Sequence, residues 1–174
     1  MIELLILYIL KQREYTMYSI SKEIKNLFGV YTNPSFGAIN PALKKLERNG
    51  FLDSRKTISE GGKPSVYYSI TKDGEKELLK LIKEDLTANP VQFISNAKIK
   101  LSMSDLLTKE ERRELFLHIK TLAMTYKSRA EEILNDEYTN KNFYQRILLD
   151  NSSVVYANLI TVIEGFEKDN ERNS

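Results

Sequence analysis

Ser35-Phe36-Gly37-Ala38-Ile39-Asn40-Pro41-Ala42-Leu43-Lys44-Lys45-Leu46-Glu47-Arg48-Asn49 is the stretch on which the reading of this 174-residue chain turns. Ile39, Ala42, Leu43 and Leu46 recur at helical spacing. Ser35 stands where a hydroxyl can cap the first turn, and Asn49-Gly50 closes the far end. Phe36, Asn40, Lys44, Lys45 and Arg48 fall off the apolar face and leave an amide and three cations for an outside partner. A polyanion fits that face, and so does plain solvent, since charged outer faces are ordinary on soluble helices. Pro41 admits two readings: it loosens and tilts the N-terminal end of the helix, or it marks a late helix start.

Working outward toward the N-terminus, Ile2 to Gln12 is rich in Leu and Ile on nearly every side and predicts a short helix buried between neighbours. It does not read as a signal peptide, because it carries Glu3, lacks a basic leader and is followed by Lys11-Gln12-Arg13. Thr16 or Ser19 is expected to cap a second helix running to about Phe28. Its inward stripe is Ile20, Ile24, Leu27 and Phe28, Gly29 ends it, and Lys22 and Lys25 face outward. Val30 to Pro34 is a short link ending in a turn signal, so the second helix and the Ser35 helix are close neighbours joined at an angle. This is the spacing of a helix-turn-helix.

Beyond Gly50 the period changes. Leu52 to Ile58 reads as a strand, Glu60-Gly61-Gly62-Lys63-Pro64 as a turn, and Val66 to Ile70 as a return strand. Arg55, Lys56 and Lys63 place three cations on this hairpin. A basic hairpin directly after a basic helix is the arrangement of a wing gripping the phosphate backbone or minor groove. Thr71 caps a further helix with Leu78, Leu79 and Ile82 inward, which fades at Thr87-Ala88-Asn89-Pro90, the expected boundary between two units.

Ser35-x-Gly37-x-Ile39-x-Pro41-x-Leu43-Lys44-x-Leu46-Glu47-x-x-Gly50 resembles the reading helix of PadR-type transcriptional regulators. Gly61-Gly62-Lys63-Pro64 followed by Tyr67-Tyr68-Ser69-Ile70-Thr71-x-x-Gly74 is similar to that family's wing and post-wing signature, so the match runs to about Leu86. The resemblance implies a winged-helix repressor that dimerises through a helical C-terminal domain and leaves DNA when an effector, often aromatic or lipophilic, binds. The chain departs from the pattern twice. Asn40 stands where the family usually has Tyr, and Thr16-Met17-Tyr18 where it has His-Gly-Tyr; Tyr18 is retained. An amide at Asn40 exchanges a phosphate-contacting hydroxyl for a group able to pair with adenine.

In the C-terminal half, Val91 to Leu101 is read as a helix. Thr108-Lys109-Glu110-Glu111 is a capping box opening a helix to about Asn135. Phe116, Ile119, Ala123, Tyr126, Ala130 and Ile133 repeat along it at alternating spacings of three and four, as in a coiled-coil seam. A last helix runs from about Asn142 to Glu167. Pairing with a second copy covers both stripes economically, with Phe116, Ile119, Ala123, Tyr126, Ile133, Val155, Leu159, Val162 and Phe166 as the expected homodimer interface. In the alternative, both stripes pack back on the same chain. A two-fold axis would set two Ser35 helices into successive major grooves ~34 Å apart on an inverted repeat.

Composition limits the functional classes. A 41% hydrophobic, 29% charged chain is globular, and the absence of cysteine excludes disulfides and thiolate chemistry and fits a cytoplasmic protein. The net charge of +2 is unevenly spread: up to Glu84, 14 Lys/Arg against 10 Asp/Glu give +4, and beyond it 12 against 14 give −2. A nucleic-acid-facing N-terminal unit agrees with that sign. No apolar run is expected to reach the ~20 residues of a membrane span. No catalytic or metal constellation assembles: His118 has only Glu114 and Leu122 at four residues either side. Phe93, Tyr126 and Tyr156, with Met17 by resemblance, are candidate effector-lining residues.

The sequence thus predicts a mainly α chain with a small β-hairpin. A winged helix-turn-helix domain occupies residues 1–86 and a helical dimerisation and effector domain residues 91–174. Tyr18, Ser35, Phe36, Gly37, Ala38, Asn40, Lys44, Lys45, Arg48, Arg55, Lys56 and Lys63 would contact double-stranded DNA, with no cofactor and no enzymatic activity. The alternative is a winged-helix adaptor that binds another protein.

Overall fold

Burial of one helix on all sides organises the N-terminal half. The structure, a computed structural model, describes residues 1–58, 64–86 and 89–172. In α1 (Ile2–Leu10), Leu4, Leu5, Ile6, Leu7, Ile9 and Leu10 are all buried. Four elements pack around it: α2 (Met17–Phe28), α3 (Phe36–Arg48), β3 (Pro64–Ile70) and α4 (Lys72–Lys83). Each such side chain removed from water is worth ~1.5–3 kcal/mol, which is why a helix apolar all round is stable only at the centre. Thr16 caps α2, its Oγ1 accepting from the Ser19 amide at 3.2 Å, and Ile20, Ile24 and Phe28 face inward. Leu27, expected in that stripe, lies at its edge and is exposed.

In α3 the buried residues are Ile39, Ala42, Leu43 and Leu46, as the spacing predicts. The start of the helix differs in detail. Ser35 is the N-cap residue, but its hydroxyl makes no capping bond; the amides of Ala38 and Ile39 both donate to the Ser35 carbonyl at 3.0 Å. Because α3 begins at Phe36, Pro41 lies inside it, which excludes the late-start reading. At the other end Gly50 takes φ +75°, a left-handed conformation that suits glycine, and the Phe51 amide reaches back to the Leu46 carbonyl at 2.9 Å. Thr71 then caps α4, accepting from the Gly74 amide at 3.0 Å and donating to the Gly50 carbonyl at 2.7 Å. A Cβ on Gly74 would stand 2.1 Å from the Phe51 carbonyl oxygen, so only glycine permits this approach.

The expected hairpin is the larger part of a three-stranded antiparallel sheet. β2 (Leu52–Ile58) pairs with β3 in the register Leu52↔Ile70, Arg55↔Tyr67 and Ile58↔Pro64. A third strand, β1 (Tyr15–Thr16), adds to the other edge of β3 through Tyr15↔Tyr68. At two residues it is too short to show any alternation in sequence. The expected Gly61-Gly62 turn and Lys63 lie outside the described residues.

The N-terminal unit consists of Met1–Asp85 and Lys98–Leu106, the second unit of Leu86–Ala97 and Leu107–Ser174, so the division runs through α5 (Pro90–Leu101). In the first unit Lys100 is buried, and its ammonium donates to the carbonyl of Glu84, the C-cap residue of α4. A cation at a helix C-terminus satisfies an orphan carbonyl and complements the helix dipole. Burial pushes the Lys100 ammonium below its usual 10.5, opposed by Glu84 and Asp85.

The second unit is built on α6 (Lys109–Asn135) and α7 (Phe143–Arg172), an antiparallel pair. The capping box of Thr108 and Glu111 is formed. Asn142 and Gln145 make a similar reciprocal pair ahead of α7, and the buried Lys141 stitches the turn through the carbonyls of Asp136 (2.5 Å) and Thr139 (2.9 Å). Contacts advance in step along the pair: Arg112 to Asn170 at 2.7 Å, Phe116 to Phe166 with ring centroids 5.9 Å apart, Lys120 to Glu164 at 3.2 Å, Glu131 to Ser153 at 3.0 Å. α7 also bears on the expectation of no membrane-length run. Among the described residues it is the one helix long and apolar enough, by length and composition, to cross a bilayer, with 17% of the relevant window buried. Asn151, Ser152 and Ser153 interrupt that window, and α6 covers one of its sides.

Replacing Lys100 by Met keeps the aliphatic stem but orphans the Glu84 carbonyl, so a loss of ~1–3 kcal/mol is expected by denaturant unfolding. Lys22→Met, at an exposed site on α2 with no ion pair or ring contact among the described residues, should change stability by less than ~0.5 kcal/mol.

Candidate nucleic-acid interface

The outward face of α3 is formed by residues that its buried stripe excludes. Ser35, Phe36, Gly37, Asn40, Lys44, Lys45 and Arg48 are all exposed and Ala38 is half-buried. Helical spacing sets Gly37 and Pro41 in the middle of this face, where the absence of long side chains permits close approach, with Asn40, Lys44 and Arg48 around them. Tyr18, near the start of α2, is 69% exposed and lies over Phe36 with ring centroids 6.2 Å apart and planes 12° apart.

The cations differ in how free they are. Lys45 Nζ is 2.7 Å from Glu3 Oε1, so its charge is matched by α1. Lys44 and Arg48 have no ion pair among the described residues. On β2, Arg55 binds Glu14 through both ends of its guanidinium, Nε to Oε2 at 2.8 Å, and lies 5.0 Å above the Tyr67 ring. Lys56, the next residue along the strand, points to the opposite side of the sheet and is exposed. Arg55 and Lys56 therefore do not converge, and Lys63 lies outside the described residues. Ser54 Oγ donates to Glu47, tying the last turn of α3 to β2. No local signal points to Glu3 or Glu14 as the partners of these cations, because each lies over 40 residues away, |i−j| being 42 and 41.

Of the candidate interface residues in the second unit, Phe116, Ile119, Ala123 and Leu159 are already buried within one chain. They are covered by the α6–α7 pair and offer no surface to a second copy. Ile133, Val155, Val162 and Phe166 remain exposed. Of the candidate effector residues, Phe93 is buried and packs on Tyr126 (4.9 Å) and Tyr156 (6.2 Å), whose rings stack on each other at 5.5 Å. Burial raises the Tyr156 hydroxyl above its usual 10.0, with Tyr126 adding to the effect. Met17 is half-buried at the first position of α2, in the N-terminal unit. A cleft of about 260 Å³ opens near Lys109, Arg113, Phe116, Glu167 and Asn170, away from these rings. Among the described residues no group of His, Cys, Asp or Glu could hold a metal ion.

The sequence profile of the Transcriptional regulator PadR-like family matches residues 6–80. Among solved structures, smu.1704 of Streptococcus mutans UA159 is 35% identical, covering 47% of this chain and 73% of that one with a TM-score of 0.41. Bacillus subtilis PadR in complex with operator DNA is 21% identical over 95% of this chain and 96% of that one, with a TM-score of 0.46. The same protein in complex with p-coumaric acid is 19% identical over 98% of each chain, with a TM-score of 0.42. No curated protein matches the chain.

The Arg55 guanidinium holds the Glu14 carboxyl below its ordinary 4.5. A depressed carboxylate contributes stability above its unfolded value that is lost as pH falls through the folded one. Carboxyl NMR should find Glu14 titrating below 4.5 in the native chain, and Arg55→Ala should move the midpoint back toward 4.5.

Proposed function

The chain belongs, through residues 6–80, to the Transcriptional regulator PadR-like family, and from that premise we propose that it is a sequence-specific double-stranded DNA-binding regulator acting as a homodimeric repressor. The expected division into a DNA-binding domain, 1–86, and a dimerisation domain, 91–174, enters this reading with one change, since Lys98–Leu106 belongs to the N-terminal unit. The observation that carries the reading is the outward face of α3, where an exposed amide, Asn40, stands beside two cations without ion pairs, Lys44 and Arg48. An α-helix fits the major groove, where amides and guanidinium groups pair with base edges while lysines neutralise phosphates. Arg48 and Lys44 take the backbone in this reading, Asn40 takes a base, and Lys56 takes phosphate beside the helix.

Homodimerisation rests on the face of α7 that α6 leaves uncovered. Tyr144, Leu148, Asn151, Val155, Asn158, Val162 and Gly165 alternate at spacings of four and three, and all seven are exposed. This is a seam for a second copy of α7, with Val155 and Val162 at its apolar centre and the two asparagines fixing register. A two-fold axis then implies an inverted-repeat operator. An aromatic or lipophilic effector is the finer part of this proposal, and its candidate lining is the half-buried pair Tyr126 and Tyr156, stacked beside Phe93.

Binding to random duplex DNA at rising salt is the test. Affinity should fall steeply with salt, and Lys44→Ala and Arg48→Ala should each flatten the log–log slope by about one unit. Lys45→Ala should flatten it less, because Glu3 already matches that charge. No duplex binding at low salt would refute the reading in favour of a protein-binding winged helix. Sedimentation checks the seam: the double variant Val155→Lys with Val162→Lys should convert a dimer to a monomer, whereas Ile119→Val, inside the helix pair, should not.

A further inference from the structure

Two aromatic rings at the head of the reading face are left in water side by side, and together they offer an apolar surface to whatever meets that face. Phe36 opens α3 and Tyr18 nearly opens α2; they are 45% and 69% exposed and stacked almost parallel. Neither belongs to the core around α1, yet both are held firmly. Tyr18 lies two residues past the Thr16 cap, and Phe36 sits on a first turn fixed by the bonds of Ala38 and Ile39 to the Ser35 carbonyl. Stacking stiffens each ring against the other. The result is a rigid apolar platform beside Asn40, one helical turn from Phe36.

Resting on the DNA-binding reading above, we propose that the Tyr18–Phe36 pair reads thymine by packing against its 5-methyl group in the major groove. That methyl is the one apolar group on the base edges there, and aromatic contact with it is an ordinary form of readout. Cations and amides cannot read it, which gives the platform a role that Asn40, Lys44 and Arg48 do not fill. Spacing adds a second constraint. Phe36 and Asn40 are four residues apart, ~6 Å along the helix, against ~3.4 Å per base pair. The thymine read by the platform therefore lies one to two base pairs from the adenine read by Asn40.

The test uses the full chain and duplexes selected by it from a random pool. Each thymine of a selected duplex is replaced in turn by deoxyuridine, which lacks only the methyl group. In the unmodified protein, affinity should fall about fourfold at one position per half-site and stay level elsewhere, as expected for one buried methyl group. In Phe36→Ala that ratio should fall to one. The inference is overturned if no thymine discriminates, or if discrimination survives in Phe36→Ala; the first result needs no variant and is independent of its folding. Retention of duplex without thymine discrimination overturns this inference alone, and failure to retain any duplex at low salt overturns it together with the DNA-binding reading.

Discussion

Everything in the N-terminal unit depends on burying α1. A nine-residue helix with Leu or Ile on every side cannot lie on a surface, so α2, α3, α4 and β3 must close around it. Their order around the hub then decides which side of each reaches solvent. α3 can bury Ile39, Ala42, Leu43 and Leu46 only by turning Gly37, Asn40, Lys44 and Arg48 outward. The exposed face is thus a geometric consequence of the core, and the close contact of Gly74 with the Phe51 carbonyl locks α4 against the corner where α3 gives way to the sheet.

Electrostatics on that face is set by tertiary contacts. A count of cations suggests one broad basic surface, but Glu3 matches Lys45 and Glu14 matches Arg55. What is left is narrower, with Lys44 and Arg48 on the helix and Lys56 on the far side of the strand. Exposed pairs such as these add little to stability, and their larger effect is to decide which charges a polyanion meets.

The C-terminal helices show the same division between pattern and placement. The heptad-like repeat on α6 is real, but its residues serve a pairing inside the chain, with Phe116 on Phe166 and Lys120 on Glu167. The apolar face left exposed comes largely from α7, whose apolar residues are divided between two sides of one helix. A stripe in sequence states that a face will be covered without stating by what.

Local physics made much of this chain legible from sequence alone. The periods of α2, α3, α4 and α6, the Thr16, Thr71 and Thr108 caps, the Gly50 closure and the two strands after it all follow from residues within a few positions of one another. Tertiary structure decided what has no local signal. It added the two-residue strand β1, whose bonding partner Tyr68 lies far along the chain. It buried Lys100 on the Glu84 carbonyl, matched Lys45 and Arg55 with distant carboxylates, and stacked Tyr18 on Phe36. The physical reason is one of range: hydrophobic period and capping act over one or two turns, whereas charge pairing and ring contact are fixed only once α1 has brought remote segments together.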